Sequence, residues 1–171
     1  YNAHKISKLN LTTLIKTDYI TNVSGPTGLV INNNTLYFSD FDTNVISKVD
    51  LTATVPVVTQ MSSGFNEPAF LSLVGSELYI ADYGSGKLSK MNIVNHTVSD
   101  VAANLGGVYG LVNNGTHLFL SQRDTNKISK ISLPNLSTTN FDIENQVSIY
   151  PNPTSNYLTL KNVLENSKII I

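Results

Sequence analysis

An all-β tandem array is the fold class that this sequence predicts. Three observations carry the prediction: a five-residue phrase occurs four times, its period is close to constant, and β-forming runs alternate with Asn- and Gly-rich turns. The phrase reads Lys5-Ile6-Ser7-Lys8-Leu9, Val45-Ile46-Ser47-Lys48-Val49, Lys87-Leu88-Ser89-Lys90-Met91 and Lys127-Ile128-Ser129-Lys130-Ile131. From Ile6 to Ile46, Leu88 and Ile128 the spacings are 40, 42 and 40 residues. A repeat of that length is one supersecondary unit, stable when stacked on its neighbours.

Residues 25–59 give the clearest unit. Gly28 to Ile31 is a short apolar run, expected as a strand buried on both faces. Asn32-Asn33-Asn34 follows, and Asn tolerates the positive φ of a tight hairpin. Thr35 to Ser39 reads as a second strand, Asp40 to Asn44 as a polar loop, and Val45 to Asp50 as a third strand. Thr54 to Thr59 reads as a fourth; Pro56 lacks a ladder donor and places it at the outer edge.

The next unit repeats the plan with strands at Pro68–Val74, Glu77–Ala81, Lys87–Asn92 and Thr97–Ala102. A third has strands at Tyr109–Val112, Thr116–Ser121 and Lys127–Leu133, with Asn113-Asn114-Gly115 as its first turn. Leu36–Asp50 and Leu118–Ser132 agree at eight of fifteen positions. Tyr1 to Lys8 aligns with Phe41 to Lys48, so the sequence is expected to begin inside a further unit. Helical repeats of this period need helix formers at 3.6-residue spacing, whereas these segments are rich in Thr, Val, Ile, Tyr and Gly. Four antiparallel strands per unit make a β-propeller blade. The reading is an open arc of about three four-stranded blades plus part of another over residues 1–136. In it the phrase is the third strand, with its apolar residues buried between blades and Lys at the rim.

Composition narrows the function classes. The apolar fraction of 41% across 171 residues supports a packed core. Charged residues make up 13% with a net charge of −1, and no basic stripe offers a nucleic-acid footprint. There is no cysteine, which removes disulfides, thiol nucleophiles and thiolate metal ligands. No apolar run is long enough for a membrane-spanning helix.

Leu36-Tyr37-Phe38-Ser39-Asp40 and Leu78-Tyr79-Ile80-Ala81-Asp82, each followed by an Asn/Gly turn and the Ser-Lys strand, resemble blades of the NHL, lactonase-like and low-density-lipoprotein-receptor-type propellers. The resemblance implies a ring that often closes with six blades. The third copy, Leu118 to Gln122, departs by carrying Gln in place of Asp. That favours a capping role for the Asp over a repeated ligand role, since a strand-ending Asp caps the next turn through its side chain.

After residues 137–146, expected as a linker, Val147 to Leu160 reads as strand, proline turn, strand. Tyr150-Pro151-Asn152-Pro153 followed by Thr/Ser/Asn and an alternating Leu-Thr-Leu run closely resembles the opening of the C-terminal sorting domain of the type IX secretion system of Bacteroidota. The resemblance implies a small β-sandwich, here truncated to residues 147–171. It also implies export by the type IX secretion machinery, removal of the domain, and release or retention at the cell surface.

No catalytic constellation stands out. His4, His96 and His117 lack the spacing of a metal site, and Gly84-Ser85-Gly86 is too short for a phosphate loop. Asp42-Thr43-Asn44 and Asp124-Thr125-Asn126 lack the remaining ligands of a calcium loop and read as turns. No cofactor and no metal is predicted. In a propeller, the loops leading into the first strand and those joining the second and third strands share one face. That face is expected to offer Phe41, Asp42, Asn66, Glu67, Tyr83, Tyr109, Arg123 and Asp124. Aromatic, acidic and amide groups suit a glycan, a peptide or a small polar ligand. The expectation is a secreted or surface binding module. The alternative is an extracellular metal-dependent enzyme of the lactonase or lyase kind.

Overall fold

The chain divides into two compact units, Tyr1–Pro134 and Asn135–Ile171. The computed structural model describes residues 4–133 and the backbone of residues 149–150 and 159–160. In the first unit, β1 (Lys5–Leu9) and β2 (Lys16–Thr21) form a two-stranded sheet. β3 (Pro26–Asn32), β4 (Thr35–Asp40), β5 (Val45–Asp50) and β6 (Thr59–Ser63) form a four-stranded meander. β7 (Pro68–Val74), β8 (Glu77–Asp82), β9 (Lys87–Asn92) and β10 (Val98–Ala102) form a second. β11 (Val108–Asn113), β12 (His117–Gln122) and β13 (Lys127–Ser132) form a three-stranded sheet. Every pairing is antiparallel, and the innermost strands β3 and β11 flank β7. The sheets stand as blades in an open arc of a β-propeller.

The repeated phrase works because its two apolar residues, three apart in a strand, face opposite sides of the sheet. Ile46 packs with Leu71, Leu78 and Ile80 of the next sheet, while Val49 packs with Ile6 and Ile20 of the preceding one. Leu88 and Met91 divide in the same way between the next sheet and the preceding one. One strand therefore serves two interfaces. Three buried clusters result, one at each joint between successive sheets.

The arc ends where this pattern loses a partner. Ile128 occupies the position of Ile46 and Leu88, which are fully buried, yet it is 81% exposed. Leu9 stands where Val49 and Met91 stand and is 53% exposed.

Two strand expectations need correction. β3 is not buried on both faces: Leu29 and Ile31 are exposed, because among the described residues the sheet before it holds just β1 and β2. The fourth strand of that blade is Thr59–Ser63, not Thr54–Thr59. Pro56 cannot donate to a ladder, Val55 and Val57 face solvent, and pairing begins where Thr59 meets Lys48. Polar β2, which carries Lys16, Thr17 and Asp18, gave no apolar signal in the sequence. The polar turn after β12 is a short 3-10 helix at Arg123–Thr125.

In the second unit, β14 (Ile149–Tyr150) and β15 (Thr159–Leu160) pair antiparallel, Ile149 with Leu160 and Tyr150 with Thr159. Pro151, Asn152 and Pro153, and the linker at 137–146, lie outside the described residues.

Candidate functional site

Two loops per blade meet at one end of the sheets, and backbone hydrogen bonds lock them together. Phe41 N donates to Gly25 O at 2.8 Å, Tyr83 N to Glu67 O at 3.3 Å, and Arg123 N to Gly107 O at 2.9 Å. The residue that ends each second strand adds a side-chain staple. Asp40 accepts from Ser24 N and Gly25 N, both at 2.9 Å, and from Thr43 N at 3.2 Å. Asp82 accepts from Asn66 N at 2.7 Å and from Ser85 Oγ at 2.6 Å. In the third blade Gln122 donates to Leu105 O and accepts from Ser129 Oγ. The strand-ending Asp thus caps the next turn, as expected, and also ties down the loop before the innermost strand.

Charge is held at Asp40 against an opposing desolvation effect. Burial pushes its carboxyl up, but the hydrogen bonds from Gly25, Ser24 and Thr43 outweigh burial and leave it below the ordinary value of 3.8.

Adjacent blades are stitched at the same end. Asn44 Oδ1 accepts from Glu67 N at 2.7 Å, and Leu105 N donates to Gly86 O at 2.9 Å. Asn44 and Asn126 sit at φ +62° and +53°, so these Asp-Thr-Asn segments close as left-handed turns. Among the described residues, no three of His, Asp and Glu come together in a group that could hold a metal ion.

On this framework the side chains of three blades converge around Tyr83. Its ring lies 6.1 Å from Phe41 and 5.7 Å from Tyr109, edge-on at 89° to the latter. The Arg123 guanidinium is 5.7 Å from the Tyr83 ring centre, and Tyr83 Oη donates to Asp124 Oδ1 at 3.4 Å. Five of the eight predicted residues are therefore one cluster: Phe41, Tyr83, Tyr109, Arg123 and Asp124. Edge-to-face rings of this kind attract beyond their buried area.

The other three are engaged within the loop framework. The Asp42 carboxylate lies against Gly25, where a Cβ would come within 2.7 Å of it. The Asn66 amide lies against Gly84 in the same way, at 2.7 Å. Glu67 holds φ +53°, a left-handed value that costs a non-Gly residue about 1 kcal/mol, and its N–H is taken by Asn44. A reciprocal exchange runs through the three blades. Where the first loop has Gly25 or Gly107, the second has Asp42 or Asp124; where the first has Glu67, the second has Gly84.

Phe70 belongs to the cluster and escaped the sequence reading. Its ring is 5.6 Å from Tyr109. The signal was present in the repeat: Phe70 stands where the flanking blades have Gly28 and Gly110.

No protein-family profile and no curated protein matches the chain. Solved structures do. A catalytically inactive virginiamycin B lyase from Staphylococcus aureus, with quinupristin, is similar at a TM-score of 0.63 and 15% identity, over 78% of this chain and 46% of that one. A nidogen/laminin complex gives 0.63 and 14% identity, over 78% and 62%. The computationally designed Ika4 protein gives 0.60 and 11%, over 78% and 82%. The chain spans about half the length of the lyase. At these identities the likeness speaks to fold, and it agrees with the sheets described above: the first unit is an open part of a β-propeller.

Proposed function

We propose that this chain belongs to an exported binding propeller whose ligand is a glycan, a peptide or a small polar molecule held at the Tyr83 face. The observation that carries the reading is the convergence of Phe41, Tyr83 and Tyr109 from three blades, flanked by Arg123 and Asp124. Partly buried rings give a ligand flat apolar surface at little entropic cost, while the cation and carboxylate supply direction. Two similar structures, a nidogen/laminin complex and a lyase with quinupristin, are in keeping with ligand use on this fold. Export through the type IX secretion machinery to the outer-membrane surface or the medium rests on the Tyr150-Pro151-Asn152-Pro153 segment placed after the repeats.

Glycan and peptide arrays probed with the intact chain test the binding reading. The expected result is a defined ligand class whose affinity falls at least tenfold, about 1.4 kcal/mol, in Tyr83→Ala and in Arg123→Ala. Arg123 is exposed, so its variant should fold as the parent does. Binding that survives both substitutions would reject the Tyr83 face. Divalent-metal stabilisation together with turnover of a small ligand would favour the lactonase- or lyase-like enzyme instead.

A further inference from the structure

An open cavity of about 370 Å³ lies at the loop-bearing end of the β3–β6 blade. Its walls are the connector at residues 22–24 together with Phe38, Asp40, Val45, Ser47, Val58 and Gln60. Val45 and Ser47 share a side of β5 with Val49, which packs with Ile6 and Ile20 of the preceding sheet.

The next blade shows the same place filled. Asp40 pairs with Val45 as Asp82 pairs with Lys87, so Val45 is the counterpart of Lys87. Gln60 faces Ser47 as Asp100 faces Ser89, so Gln60 is the counterpart of Asp100. There Lys87 Nζ donates to Asp100 Oδ2 at 2.8 Å. That hydrogen bond, then the Asp100 charge, hold the Lys87 ammonium above its ordinary 10.5, and the Asp82 charge adds to them. β1 and β2 carry the same pair: Lys5 Nζ donates to Asp18 Oδ2 at 2.8 Å, and Asp18 faces Ser7.

Of the three sheets whose third and fourth strands are both described, the β3–β6 blade is the one without this ion pair. Val45 ends at its two γ-methyls, short of the path a lysine chain takes, and Gln60 is uncharged. The strand-ending carboxylate is kept all the same. Asp40 is 4% exposed and stands in the cavity wall. Its hydrogen bonds come from the uncharged N–H groups of Ser24, Gly25 and Thr43, and none of the ion pairs among the described residues includes it. The blade has therefore lost the internal cation and retained an anion beside the space it would occupy.

We infer that this cavity binds a primary alkylammonium group, carried by a lysine side chain or by a free amine. The alkyl stem lies along Phe38, Val45 and Val58, as a lysine stem covers apolar surface. The ammonium takes the Asp40 carboxylate as its countercharge, with the Ser47 hydroxyl and the Gln60 amide oxygen as acceptors on the same wall. Neither Tyr83 nor Arg123 lines the cavity, so the site stands independently of the proposed Tyr83 face.

Titration of the intact chain with n-butylammonium and with Nα-acetyl-lysine amide, followed by amide chemical shifts, tests this. The expected result is saturable shifts at Gly25, Ser47 and Gln60, with n-butanol, which has no charge, binding at least tenfold more weakly. Val45→Lys combined with Gln60→Asp rebuilds the pair that the neighbouring blade already holds, so it should fold and should weaken n-butylammonium binding at least tenfold. Binding of both probes assigns the site to lysine side chains, and binding of n-butylammonium alone assigns it to free amines; either supports the proposal. Absence of saturable binding, equal binding of n-butanol, or binding that survives the double substitution overturns it. Binding that is lost instead in Tyr83→Ala would move the ammonium to the aromatic cluster and overturn it equally.

Discussion

Asp40 shows how much one side chain can organise in a repeat protein. It is 4% exposed, and its two oxygens close the loop before β3 and the turn after β4 at once. Removing one partner of such a buried network costs about 1–3 kcal/mol, because donors are left unsatisfied. Asp40→Asn should therefore lower stability in urea titration by about that amount. The pH dependence has a definite sign. Because the folded carboxyl lies below its ordinary 3.8, its stabilising contribution is present above that value and is lost as pH falls through the folded one. In Asp40→Asn the stability lost between neutral pH and the acid limb should be smaller than in the parent. An unchanged acid limb would show that Asp40 is held by shape alone. Gln122 fills this place in the third blade without a charge, so that blade contributes no such term.

At the scale of the element, the repeated strand is a double-sided spacer. Ile46 and Ile128 carry the same side chain at equivalent points of β5 and β13, yet one is fully buried and the other 81% exposed. Ile46→Ala should cost about 2–5 kcal/mol through lost burial and the cavity left behind. Ile128→Ala should change stability by no more than about 0.5 kcal/mol. Thermal or denaturant unfolding of the two variants checks the contrast; equal costs would mean that the face beyond β13 is covered in solution. These positions also show what was legible in sequence. Turn residues, apolar runs and the repeated phrase located β4, β5, β7 and β9, because local pattern and burial agree there. β6 was misplaced because Val55 and Val57 look like strand residues while Pro56 denies them a ladder. β2 was missed because its few apolar residues, Tyr19 and Ile20, give no alternation.

For the whole molecule, stacking gives each sheet contacts with its immediate neighbours, so the first unit behaves as a short one-dimensional array. The second unit is compact by itself, and the proposed role for it is addressing, not binding. Appended to a fluorescent reporter in a type IX-competent bacterium, the complete C-terminal domain should carry the reporter out of the cell. Replacement of Tyr150 to Pro153 by Gly-Ser should retain it. Reporter found in the periplasm with the intact segment would reject the export assignment.

The repeat, the antiparallel order of strands in each full blade and the loops gathered at one end were legible from the residues alone. Those follow from alternation, period and turn chemistry, all of which are local. Tertiary structure alone decided which residues of that face meet. Tyr83 became the centre because Phe41 and Tyr109 arrive from the blades on either side. It likewise decided burial: the same Ile-Ser-Lys core differs between β5 and β13 because, among the described residues, a sheet packs over the first and none over the second. A sequence repeat states what each surface is built to meet, and the neighbouring sheet determines whether it does.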